Sequence, residues 1–598
     1  MGRARRNFLT SLVSGVVASV SSRTGNAQQA PAPAASRADP LGSTITATTV
    51  AEAEKLVALE FTPDQRQLLA KSLPDQVSSF KARRRYGLAN SAAPAYTFDP
   101  RVPGIAYRPQ THRVRFSRSR TSKLPDDAVD IAFASVIELS HWIRTGQLSS
   151  LRLTQIYLQR LKTIGPKLEC VVHLTEDLAL QQAKKADREI AGGHYRGLLH
   201  GIPWGAKDLL ATAGIPTTWG AEPYRDQVFA ANARCVDLLA EAGAVLVAKL
   251  STGALARGDV WFGGKTRNPW NTDEGSSGSS AGPAAATAAG LVGFSVGTQT
   301  GGSIVGPSTR CGVTGLVPSF GRVSRSGAMV LAWSLDRLGP ICRYVEDTGV
   351  VLAAINGPDA SDPSSLDIPF EFDATAGIEG MKLGFVPELF ETAEVNDVER
   401  ASLQAARSLG VKLVELKLSI SQPVDELART ILYSEGAAAF EELLLTGRDR
   451  EFADHGRGGW PNALHTWRFI PAVEYIQAQR IRRDLLAPTH AIFAQVDAII
   501  SPSRDPILRL SNMTGHPCLT LRTGFFESPS RGNGPGAPSG PTHEVPHGIT
   551  LWGRLFEEGR LLSLGMALER KLDVARRRPP LDEVSSLRRR GLLAVARS

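Results

Sequence analysis

Residues 275–303 read GSSGSSAGPAAATAAGLVGFSVGTQTGGS. Two serine-glycine clusters bracket a small-residue run and an apolar run. Ala281 to Gly290 is rich in alanine, a strong helix former, and Pro283 sits near the start, where a missing N–H costs little. Gly290 is a natural helix stop. Leu291 to Val296 is short, apolar and partly β-branched, which predicts a buried strand. Gly301 and Gly302 then permit a turn that few other residues allow.

This layout has a geometric consequence. A helix of about ten residues climbs roughly 15 Å, and a strand of about six returns roughly 20 Å. Ser279 at the head of the helix and Ser303 beyond the strand are therefore expected on one edge of a sheet, where ligands bind in open α/β folds. The glycines let backbone N–H groups from Thr300, Gly301, Gly302 and Ser303 converge on one point, an oxyanion-hole arrangement beside a serine hydroxyl. A flexible Gly/Ser linker would carry neither the helix pattern nor the strand pattern.

The stretch resembles the amidase signature family of serine amide hydrolases. The family pattern is GGSSGG, then small residues, then GTDTGGSIR, with its two key serines 24 positions apart, as are Ser279 and Ser303 here. The family's lysine lies upstream in a GIPxxxKD segment, matched by Gly201 to Asp208 and ending on Lys207-Asp208. Gly243-Ala244-Val245, Asn268-Pro269-Trp270, Leu335 to Pro340 and Asn512 to Pro517 are also similar to family segments. The resemblance covers roughly residues 130–570 and is firmest over 197–347. It implies an α/β fold with a large mixed, mainly parallel β-sheet covered by helices on both faces. Alternation of helix and strand patterns, as in Cys235 to Gly243 followed by Ala244 to Lys249, agrees with that class.

Composition sets the outer limits. The chain has 598 residues with 42% hydrophobic and 21% charged residues, ordinary values for a soluble globular protein. Net charge is +9, and four of the positive residues, Arg3, Arg5, Arg6 and Arg23, fall within 1–27. The remainder is too modest to argue for nucleic acid as a partner. Five widely spaced cysteines form no CxxC motif and imply buried free thiols rather than a disulfide framework.

Residues 1–27 read as an export signal: Arg5-Arg6-Asn7-Phe8-Leu9 resembles the twin-arginine pattern, and a short apolar run follows. That predicts a periplasmic or secreted protein, with a cytoplasmic one as the alternative. No segment predicts a permanent membrane span. An Ala/Pro-rich linker is expected over 28–45, a helical N-terminal extension over 46–129, and the amidase domain over 130–598. Thr62-Pro63-Asp64-Gln65 has capping-box spacing for a helix running through Leu73. Ser149 caps a helix with Leu153, Ile156, Tyr157 and Leu161 on one face, and Ala179 to Ile190 is a second amphipathic helix. Glu527 to Pro546, rich in Gly and Pro, is expected to be a mobile surface loop.

The family chemistry carries over residue by residue. Ser303 attacks the carbonyl, Ser279 relays its proton, and Lys207 is the base. The family holds the relay serine after a cis peptide bond, here Gly278–Ser279. The N–H groups of Thr300, Gly301, Gly302 and Ser303 are the oxyanion donors. Lys207 must be buried so that its pKa falls well below about 10.4; pairing with Asp208 or Asp273 is the competing, purely structural role. No metal and no cofactor is implied.

Two other motifs compete. Gly278-Ser279-Ser280-Ala281-Gly282 matches GxSxG, which needs a preceding strand, and Asn268 to Glu274 does not read as one. His543-Glu544-Val545-Pro546-His547 matches HExxH, which needs a helix that Pro546 forbids. The chain also departs from the family beside the nucleophile, with Gln299 where members often have Asp and Val305 where they often have Arg.

The expected activity is hydrolysis of a small or medium carboxamide through a serine acyl-enzyme, releasing carboxylate and amine or ammonia. The alternatives are a catalytically silent scaffold with the same fold and a glutamine-hydrolysing amidotransferase A-type subunit.

Overall fold

The computed structural model describes residues 44–582 apart from 86, 118–122, 393, 421, 504 and 532–537. The expected export signal, most of the expected linker and the C-terminal arginines 588–590 lie outside the described residues.

Eleven strands form one sheet: β1 (Val171–Leu174), β2 (Pro203–Lys207), β3 (Val245–Leu250), β4 (Phe294–Gln299), β5 (Thr314–Val317), β6 (Arg337–Cys342), β7 (Lys382–Phe385), β8 (Lys412–Glu415), β9 (Ala498–Pro502), β10 (Cys518–Arg531) and β11 (Pro538–Gly553). Their order is β8-β7-β9-β11-β10-β5-β6-β4-β2-β3-β1. The sheet is mixed, but the expectation of mainly parallel pairing needs correcting. β2 pairs in parallel with β3 and β4, and β7 with β8 and β9. The pairings from β9 through β11, β10, β5 and β6 to β4, and that of β1 with β3, are antiparallel. Long hairpin strands without a crossover helix dominate the centre.

Side chains alternate between two cores, as strand geometry requires. Leu246, Ile500, Leu519 and Leu551 enter one hydrophobic cluster, whereas their chain neighbours Val245, Ile499, Cys518 and Trp552 enter another. Helices cover both.

The N-terminal extension carries α1 (Ala47–Leu56) and α2 (Pro63–Arg84), both begun by capping boxes, at Thr46 and, as expected, at Thr62 with Gln65. No residue of α2 is buried. Polar clasps hold the extension. The Asn90 side chain donates to the carbonyls of Val330 and Ala439 and accepts from Val330 N–H, and Arg83 pairs with Glu441. In the core, α3 (Ser150–Leu168) starts at the Ser149 cap, and the second amphipathic helix spans Glu176–Ala191.

Two sequence expectations are displaced. The strand after α4 (Ala281–Ala288) runs over Phe294–Gln299 and not over the apolar Leu291 to Val296. Ser295 and Thr298 can be buried there because both have partners: Ser295 Oγ donates to Pro283 O at 3.0 Å, and Thr298 Oγ1 accepts from Lys207. The segment Glu527 to Pro546 is not a free loop. Its described residues extend the β10/β11 hairpin as far as the Arg531↔Pro538 pair. The ladder is irregular beside Pro529, with a register shift between Pro529 and Arg531.

Candidate active site

β2 and β4 are parallel neighbours, with Gly205 opposite Ser295 and Ala206 opposite Val296. Their carboxyl ends therefore open on the same edge, and Lys207 and Thr298 meet there. Lys207 is fully buried. Its Nζ lies 2.8 Å from Ser279 Oγ, 3.1 Å from Ser280 Oγ and 2.8 Å from Thr298 Oγ1. Among the described residues no carboxylate pairs with it. Burial holds the ammonium well below its usual pKa, opposed only by the charge of Asp336.

Three hydroxyls suit an uncharged amine. Ser280 Oγ gives its own proton to Thr298 O at 3.0 Å and accepts from Thr298 N–H at 3.1 Å. Toward Lys207 it therefore acts as an acceptor. Ser279 Oγ has Lys207 as its hydrogen-bond partner, which leaves its proton free to lie on the lysine lone pair. A neutral amine with two N–H donors and one lone pair matches that set.

The structural alternatives for Lys207 resolve elsewhere. Asp208 is taken by Lys249, 3.1 Å away, and by Thr218 N–H and Oγ1. Asp273 lies 3.7 Å from His543 Nε2.

Ser279 follows a cis peptide bond from Gly278. Gly278 packs so tightly on Gly258 that a Cβ there would meet the Gly258 carbonyl oxygen at 1.8 Å. Ser303 is half-buried, and its carbonyl accepts from Ser280 N–H at 3.1 Å. That bond ties the two serine segments together. The Ser303 hydroxyl makes no hydrogen bond with Ser279, so the structure joins Lys207 to Ser279 and brings Ser303 alongside through its backbone alone. Among the described residues none accepts from the N–H groups of Thr300, Gly301, Gly302 or Ser303. Gly302 has φ +148°, which favours glycine.

Sequence reading missed Thr298 and Asp336. The buried Asp336 accepts from Thr300 Oγ1 at 2.5 Å and from the N–H groups of Leu331 and Ala332. Burial raises its pKa and those donors oppose the rise. The signal was present in the segment Leu335 to Pro340, singled out without a role.

Both competing motifs fail on geometry. Asn271–Gly275 does form a short strand before Ser280, contrary to expectation, but it pairs only with Arg267–Asn268 and stays outside the main sheet. Ser280 itself has its hydroxyl pinned to Thr298. His543 and His547 lie on strand β11, about 13 Å apart along the chain; His547 pairs with Glu399 at 2.9 Å. Among the described residues no group of three His, Cys, Asp or Glu side chains is placed to hold a metal. No described helix is long and apolar enough to cross a membrane.

The chain is also similar to known proteins over most of its length. The family model described as Amidase matches residues 152–562. The A subunit of glutamyl-tRNA(Gln) amidotransferase from Hahella chejuensis is 32% identical over 484 residues, covering 75% of this chain and 99% of that protein. Its counterpart from Roseiflexus castenholzii is 33% identical over 483 residues, covering 76% and 98%. The solved structure of native peptide amidase from Stenotrophomonas maltophilia superposes with a TM-score of 0.65 at 29% identity, covering 75% of this chain and 98% of that one.

Proposed function

The chain belongs to the amidase family, enzymes that act on carbon–nitrogen amide bonds, and from that premise we propose that it cleaves its amide through Ser303, Ser279 and Lys207. The observation that carries this reading is Lys207, a buried lysine bonded to three hydroxyls and paired with no acid among the described residues. Ser303 Oγ bonds to the carbonyl carbon and passes its proton through Ser279 to the neutral Lys207. The oxyanion takes hydrogen bonds from the N–H groups of Thr300 to Ser303. The C–N bond then breaks, the relayed proton returns to the leaving nitrogen, and water releases the carboxylate from the acyl-serine.

For the substrate, the curated relatives support the side-chain amide of glutamine better than a small or medium carboxamide. The relatives from Hahella and Roseiflexus are amidotransferase proteins matched over nearly their whole length. In that role the chain would work beside a protein partner that consumes the ammonia. The small-carboxamide reading keeps one specific support, the likeness to peptide amidase. An export signal in residues 1–27 would also favour it, since tRNA is cytoplasmic; cell fractionation of the full chain tests that placement.

One experiment tests the chemistry. The purified chain is labelled with a fluorophosphonate and the adduct is mapped by peptide mass spectrometry. An adduct on Ser303 that fades in Lys207→Ala supports the reading. An adduct on Ser280, or none, overturns it, and the latter leaves the silent scaffold. Ammonia release from glutamine, measured against a panel of carboxamides, then chooses the substrate.

A further inference from the structure

We infer that Gln299 is a positioning residue for the nucleophile turn, closing Thr300 to Ser303 into a ring anchored on Arg337. The inference rests on the hydrolase reading above. Gln299 ends β4, and its fully buried side chain reaches across the turn it precedes. Its Oε1 accepts from Ile304 N–H at 2.9 Å and Val305 N–H at 3.0 Å, on the far side of Ser303. Its Nε2 donates to Asn512 Oδ1 at 3.2 Å. Arg337 Nη2 donates to that same oxygen at 2.6 Å, and Arg337 Nη1 donates to His516 O at 2.7 Å.

The polarity of this relay is fixed from both ends. Two backbone N–H groups can only donate, so Gln299 must present its carbonyl to them and its NH2 to Asn512. Arg337 can only donate, so Asn512 must present its oxygen. Flipping either amide would set donor against donor. One side chain thus spans both ends of the turn carrying the nucleophile and the four uncommitted N–H groups.

This accounts for the two departures from the family pattern. Val305 is fully buried among apolar residues, a place for no charge. Gln299 meets the two N–H groups with a neutral amide, and Arg337, supplied by the neighbouring strand β6, anchors its partner Asn512. Fixing donors and nucleophile before substrate arrives lowers the barrier, because a displacement of about 1 Å costs roughly 100-fold in rate.

The test compares fluorophosphonate labelling, hydrolysis and thermal unfolding in the full chain. Gln299→Leu keeps the bulk and removes the acceptor. Its labelling rate and kcat are expected to fall roughly 10- to 100-fold, with KM changed less than about threefold. Gln299→Glu still accepts from both N–H groups but sets an acceptor against Asn512 Oδ1, so it is expected to recover only part of the loss. If Gln299→Leu does not fold, Asn512→Ser is read by the same kcat-against-KM split. Labelling of a folded Gln299→Leu at the wild-type rate, a loss confined to KM, or no recovery in a folded Gln299→Glu overturns the inference while the hydrolase reading stands. Wild-type protein that labels nowhere overturns both.

Discussion

Lys249 Nζ lies 3.1 Å from Asp208 Oδ1, both side chains fully buried. The acid that follows Lys207 in sequence thus neutralises a different lysine. Two lysines on neighbouring parallel strands are buried to the same degree, and only one has an anion. The unpaired one is free to lose its proton.

That difference predicts a trade between stability and activity. Lys207 is depressed by burial, so the unfolded chain binds a proton that the native chain lacks between the native pKa and about 10.4. Stability should therefore rise with pH across that window and level off above it. Lys207→Met should remove this dependence and raise the unfolding temperature at pH 7. It should also cut hydrolysis by roughly 100- to 10,000-fold. Calorimetry at several pH values and a hydrolysis assay check both halves.

Asp336 has two jobs, and Asp336→Asn should separate them. It fixes Thr300 at the start of the turn that carries Ser303, and its charge favours protonated Lys207. Loss of the charge should move the acid limb of the kcat/KM profile to lower pH. Loss of one strong acceptor should lower the plateau by about tenfold. A profile that moves to higher pH would contradict the assignment.

Ser279 and Ser280 both touch Lys207, yet only one has an uncommitted proton. Ser279→Ala should lower kcat by roughly 100- to 10,000-fold. Ser280→Ala, which empties a structural link to Thr298, should cost destabilisation of about 1–3 kcal/mol and a much smaller loss of rate. Denaturant melts beside steady-state kinetics distinguish the two.

Gly278→Ala probes the packing beneath Ser279. A Cβ there meets backbone on Gly258 rather than a side chain that can swing away. The expected outcome is a loss of at least about 1–3 kcal/mol, seen as a lower denaturation midpoint together with lost activity.

Much of this site was legible in the sequence because its spacing is dictated by geometry. The helix-and-strand layout placed Ser279 and Ser303 on one edge of the sheet, and Lys207 was read from the resemblance of Gly201 to Asp208 to a family segment. Locally encoded features were equally readable, such as the Thr62 capping box and the Ser149 cap. What could not be read depends on partners far along the chain. The strand after α4 settles on Phe294–Gln299 because Pro283, Lys207 and β6 satisfy its polar residues. The hairpin of β10 and β11 hides behind a Gly- and Pro-rich composition that reads locally as loop. Asp336, Arg337 and Asn512 lie 33 to 209 residues from Ser303, and no local pattern announces that they meet.

All five cysteines are buried and unpaired, and burial pushes the thiols of Cys170, Cys235 and Cys518 up to about 12. The native protein should therefore be almost silent to thiol reagents at neutral pH. Cys170 and Cys311 lie in one core and Cys235 and Cys342 in the other, so alkylation mapped residue by residue becomes a clock for each face of the sheet. Equal rates at all five would mean that the two faces open together, and a lag between them would reveal which half of the molecule lets go first.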